Sequence, residues 1–70
     1  MKKNEIENKI KILINQFNAQ NFEIVISKTK SLIKKNPEYI ILYNLLGSSL
    51  QNIGNYSDAK DLFEKGLKLD

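Results

Sequence analysis

The sequence contains no cysteine, no histidine, no arginine and no tryptophan, and its 70 residues include one proline. Without cysteine there is neither a disulfide staple nor a thiolate metal site. Without histidine as well, the common zinc constellations and the base-activated nucleophiles lose their usual members. The missing arginine bears on the charge. The formal net charge is +3 and the sequence pI about 9.2, but all 11 basic residues are lysines. Arginine is the side chain suited to bidentate contacts with phosphate and guanine, whereas lysine offers a point charge. Nucleic acid is therefore a poor expectation despite the basic pI. The glycines, Gly47, Gly54 and Gly66, are too scattered to form a phosphate-cradling loop.

Long apolar runs are also missing. The longest is Tyr39–Tyr43, far short of a membrane span. The Met1-Lys2-Lys3 start is followed by Asn4, Glu5 and Glu7 in place of the roughly 7 to 15 apolar residues of a signal peptide. These absences predict a cytoplasmic protein that holds no metal or cofactor and does not enter a membrane.

A chain of this length is one small domain, burying only about 60% of its unfolded surface and so marginally stable. Its charge is uneven. Residues 1–36 carry eight lysines against Glu5, Glu7 and Glu23, giving +5, while residues 37–70 carry three lysines against five acids, giving −2. The N-terminal half is thus the one candidate surface for an anionic partner.

Apolar spacing predicts four helices. The first covers about Glu5 to Phe17, with Ile6, Ile10, Leu13 and Phe17 on one stripe widened by Ile12 and Ile14. Asn4 is its expected cap, with Glu7 in the capping-box position. The second covers Phe22 to Lys35, with Phe22, Val25, Ile26, Leu32 and Ile33 on a broad face extended by Ile24. The third is expected to open at Asn36-Pro37, a cap followed by a proline tolerated at the first helical position, and to reach Asn52. Gly47 lies inside it, where glycine costs about 1 kcal/mol relative to alanine, so a closely approaching helix is expected there. Gly54 suits a turn of positive φ. The fourth helix is expected from about Ser57 to the end, with Ala59, Leu62, Phe63 and Gly66 inward and Leu67 and Leu69 further round.

One run organises this pattern: Tyr43, Leu46-Gly47, Leu50, Gly54, Tyr56, Ala59, Phe63, Gly66 and the ending Leu69-Asp70. Small and large residues alternate in it at helical spacing. A weaker copy lies upstream, where Ile12, Phe22, Val25 and Leu32 stand for Leu46, Tyr56, Ala59 and Gly66, and Pro37 ends the unit. Lys9 replaces the aromatic residue of that copy and Leu13 its glycine. The run resembles the tetratricopeptide repeat, a helix–turn–helix unit of about 34 residues. The resemblance implies an all-α fold of two stacked antiparallel helix pairs, residues 6–39 and 40–70, forming the start of a right-handed α-solenoid. The pentatricopeptide repeat of RNA-binding proteins is a rival that the Gly47, Gly54, Tyr56 and Ala59 spacing disfavours.

The resemblance also implies a function, namely non-catalytic binding of a peptide or partner helix in a concave groove, as a protein interaction module or scaffold. The groove residues it implies are Glu7, Ile10, Lys11 and Ile14 from the first unit and Ile41, Asn44, Leu45, Ser48, Gln51 and Asn52 from the second. Within this set Lys11 suits a carboxylate or phosphate, and the carboxamides of Asn44 and Gln51 suit a peptide backbone. An alternative is the N-terminal part of a larger bacterial enzyme such as a transferase, with the chemistry beyond residue 70. Asp58 and Asp61 share a helix face, but carboxylates in a first helical turn follow from the helix dipole alone. Tyr43, Tyr56 and Phe63 are expected to wedge between helices. Leu62, Leu67 and Leu69 are expected to need cover, making the last helix a self-association surface.

Overall fold

The computed structural model describes residues 2–69, with side chains from Asn4 to Leu69; Met1 and Asp70, the latter closing the repeat signature, lie outside the described residues. The architecture is all-α: α1 (Lys2–Asn18), α2 (Phe22–Lys35), α3 (Ile40–Asn52) and α4 (Tyr56–Leu67). The helices form two hairpins. Among the described residues α3 packs on α2 and α1, whereas α4 packs on α3 alone.

Two apolar clusters hold this arrangement. Ile6, Ile10 and Leu13 of α1 meet Leu32 of α2 and Leu42 and Leu45 of α3 in the first. Leu46 and Leu50 of α3 meet Ala59 of α4 in the second, with Ile26 and Ile33 of α2 and Leu62 and Phe63 of α4 packed against it. The second hairpin thus borrows part of its core from the first, as stacked repeats do. Leu42, fully buried at 0% exposure, ties α3 to both helices of the first pair.

The turns show a period that the side chains hide. Gln20 N–H donates to Phe17 O at 2.9 Å and Gly54 N–H to Gln51 O at 3.0 Å; Asn21 N–H donates to Gln16 O at 2.9 Å and Asn55 N–H to Leu50 O at 2.8 Å. Each pair of bonds differs by 34 in both donor and acceptor (54 − 20, 51 − 17, 55 − 21, 50 − 16). The dihedrals agree. Gly54 has φ 88° and Gln20, the one non-glycine residue of positive φ among the described residues, has φ 66°. Asn21 and Asn55 precede their helices at φ −86°, ψ 63° and φ −90°, ψ 71°. The upstream turn is therefore a structural copy of the downstream one, with glutamine holding the left-handed position glycine would occupy. That conformation costs an L-residue roughly 1–2 kcal/mol. Gln20→Gly is expected to stabilise the fold by about 0.5–1 kcal/mol and Gly54→Ala to destabilise it by about 1 kcal/mol, opposite signs that urea denaturation will check.

The helical glycines serve close packing between α3 and α4. A Cβ on Gly47 would stand 2.7 Å from Cε1 of Phe63, and one on Gly66 would stand 3.2 Å from Cβ of Tyr43. At the positions 34 earlier stand Leu13 for Gly47 and Thr29 for Phe63, at 1% and 0% exposure. The bulk lies on the second helix in one pair and on the first helix in the other.

Several sequence expectations are corrected. Asn4 does not cap α1, which continues outward to Lys2 because lysine and glutamate are good helix formers. Pro37 does not open α3. Proline drives the preceding residue out of the α region, so Asn36 closes α2, its N–H bonded to Leu32 O at 2.8 Å, and α3 starts at Ile40. The Pro37 carbonyl instead accepts from the Tyr43 hydroxyl at 2.8 Å. Ile12 and Ile24 do not widen the core faces but stand 53% and 43% exposed. Tyr56 is no wedge. It begins α4 exposed, while Tyr43 is buried and Phe63 half-buried against Gly47.

Candidate binding faces

Each hairpin has two sides, and the repeat makes them comparable. On the first pair, the side formed by Ile6, Ile10, Thr29, Leu32 and Ile33 is buried or half-buried, with Leu42 and Leu45 of α3 joining its cluster. Adding 34 to those numbers gives Ile40, Asn44, Phe63, Gly66 and Leu67. These residues line an open cleft of about 440 Å³ between α3 and α4. Ile6 is 5% exposed and its counterpart Ile40 36%; Leu67 is 72% exposed. Leu69 lies nearby in sequence at 43%, whereas Leu62 is turned inward, half-buried against Leu46, Leu50 and Ala59. Of the predicted leucine surface, Leu67 therefore lines the cleft, joined by Phe63 and Ile40, which sequence reasoning did not place there, and Leu69 is exposed outside its lining.

The first pair also carries an open cleft, of about 270 Å³, between α1 and α2. Ile12, Leu13 and Leu32 form its apolar part, and Lys9, Lys28 and Lys35 line it with Ser31. The uneven charge of the two halves was legible in the sequence. The convergence of these three lysines around an isoleucine from two helices was not.

The predicted concave set does not come together as one cleft. Ile10 and Leu45 are buried in the α1/α2/α3 cluster and so are not available to a ligand. Leu45 turns inward because α3 crosses α1 as well as α2. Asn44 lines the α3/α4 cleft, while Lys11, Ile14, Ser48 and Gln51 line neither cleft. Ile14 packs half-buried against the first cluster; Glu7, Lys11, Gln51 and Asn52 are exposed. Asn52 spends a side-chain N–H on Ser48 O at 2.8 Å. Asp58 accepts from the Asn55 carboxamide at 2.9 Å, a contact local to the first turn of α4.

Among the described residues no helix is long and apolar enough to cross a membrane, and no three His, Cys, Asp or Glu side chains gather into a metal-sized group. No family model, curated protein or solved structure matches this chain.

Proposed function

We infer that the chain is a non-catalytic protein interaction module of the tetratricopeptide type, acting in the cytoplasm, whose two pairs begin a right-handed solenoid and whose α3/α4 face takes a helix from a protein partner. One observation carries the reading. The side of the first pair that α3 covers recurs 34 residues later as the open cleft of Ile40, Asn44, Phe63, Gly66 and Leu67. A repeat unit buries its apolar side by stacking on a neighbour, and an uncovered side of this kind is an interface. Leu67, more than two-thirds exposed at the cleft, supplies an apolar anchor, and the Asn44 carboxamide supplies a donor and an acceptor beside it.

A second copy of the chain offers the same face, and isologous pairing across it is expected to give a dimer. Sedimentation equilibrium should show reversible self-association of the wild type and a monomer for Leu67→Glu/Leu69→Glu, both exposed positions whose exchange leaves the core intact. A synthetic peptide of residues 36–55, the segment that covers the equivalent side of the first pair, should bind the wild type and not the variant. A wild-type monomer with no affinity for that peptide would remove the reading.

A further inference from the structure

We propose that the cleft between α1 and α2 binds an acidic amphipathic helix of a partner protein, with an apolar side chain over Ile12 and carboxylates against Lys9, Lys28 and Lys35. This inference is independent of the reading of the α3/α4 face.

The shape follows from the repeat. Adding 34 to Lys9, Ile12, Leu13, Lys28, Leu32 and Lys35 gives Tyr43, Leu46, Gly47, Leu62, Gly66 and Leu69. In the second pair a helix lies against this side at Leu46, which belongs to the cluster that Ile26 and Ile33 of α2 pack against. The two isoleucines are seven residues apart, two helical turns, and present one apolar stripe. In the first pair no described helix lies there. Ile12 is 53% exposed where its counterpart Leu46 is 3% exposed, and a cleft of about 270 Å³ stands open.

The chemistry follows from what changes between the two sides. Tyr43, Leu62 and Leu69 are replaced by Lys9, Lys28 and Lys35, Lys65 is replaced by Ser31, and the central leucine is replaced by another aliphatic residue. Ile12 offers an apolar contact within the cleft. A side designed for an apolar helix such as α2 has no use for three lysines around it. Both features are met by a helix with an apolar stripe flanked by glutamate or aspartate. The adjoining depression between α1 and α2, which shares Lys9, Leu32 and Lys35, adds one acid, Glu5. The lining of the cleft itself has none.

Nucleic acid fits less well. The cleft has no aromatic side chain on which a base would stack and no arginine for bidentate phosphate contact.

The probe is a fluorescein-labelled peptide of about 18 residues, long enough to hold a helix, with leucines at i, i+4, i+7 and i+11 flanked by glutamates. Anisotropy titration should show saturable binding to the wild type. Lys28→Glu/Lys35→Glu should weaken it by more than about tenfold, and Ile12→Ser by about fivefold, since charge and apolar contact are both required. A peptide with glutamine in place of glutamate should bind at least about tenfold more weakly than the glutamate peptide. Leu67→Glu should leave the affinity unchanged. All four positions are exposed, and circular dichroism will confirm that the variants stay folded. Absence of saturable binding would overturn the proposal. So would affinity indifferent to Ile12→Ser, loss of binding through Leu67→Glu, or tighter binding of a single-stranded oligouridylate at the same lysines.

Discussion

Leu42→Ala is expected to lower the unfolding free energy by about 3 kcal/mol, within the range of about 2–5 kcal/mol typical of leucine truncation in a core. Leu42 is completely buried and shares a cluster with Ile6, Ile10 and Leu13 of α1 and Leu32 of α2. The cavity would open where the second pair is joined to the first. A domain of this size has a total stability of only about 4–10 kcal/mol, so the loss removes a large part of it. Ile12→Ala is the matched control. It deletes a similar aliphatic side chain that is 53% exposed, and should cost less than about 1 kcal/mol. Guanidinium denaturation followed by circular dichroism will separate the two. Equal effects would contradict the packing.

The second large effect is expected at Gly47, where two physical terms oppose one another. Helix propensity favours Gly47→Ala by about 1 kcal/mol, because glycine inside a helix leaves more backbone entropy to be lost on folding. Packing opposes it. The added Cβ would lie 2.7 Å from Cε1 and 2.9 Å from Cδ1 of the Phe63 ring, so the ring or α4 must move. Overpacking of this kind costs typically about 1–3 kcal/mol, and the net expectation is destabilisation by up to about 2 kcal/mol. The sign should reverse when the ring is absent. In a Phe63→Leu background Gly47→Ala is expected to stabilise by a few tenths of a kcal/mol, recovering part of the propensity term. A double-mutant cycle measured by urea denaturation will show a coupling of about 1–2 kcal/mol if ring and glycine meet as described. Additive effects would place the ring elsewhere.

Gly47 was legible in the sequence because a glycine inside a helical pattern demands compensation. What accompanies Leu13, its counterpart in the first pair, was not. Leu13 occupies the equivalent position in the first pair, where Thr29 stands in place of Phe63. Position by position these are two departures from the motif, whereas in the fold both residues are buried, the larger on the first helix and the smaller on the second. Gln20 was hidden for a similar reason. A left-handed turn is visible in sequence when glycine fills it and invisible when glutamine does, although the backbone bonds around both turns match.

The candidate faces were less legible than the fold. Ile12 and Ile6 look alike as apolar residues of one helix, but one is 53% exposed and the other 5%. The difference is set by which side of the pair α3 covers. Leu45 lies next to Asn44 and was expected on the same groove. One residue turns a side chain by about 100° around a helix, which sends Leu45 into the α1 cluster and leaves Asn44 at the α3/α4 cleft.

The sequence by itself determined the four helices, because apolar spacing and turn residues act within a few positions of one another. It also determined the small residues that let α4 approach α3, and the lysine excess of the first half. Tertiary structure alone decided which sides of the two pairs are covered. Burial is a property of neighbours rather than of residues: α3 covers Ile6 and Ile10 of the first pair, α2 covers Leu46 and Leu50 of the second, and a cleft stays open on each pair with different chemistry.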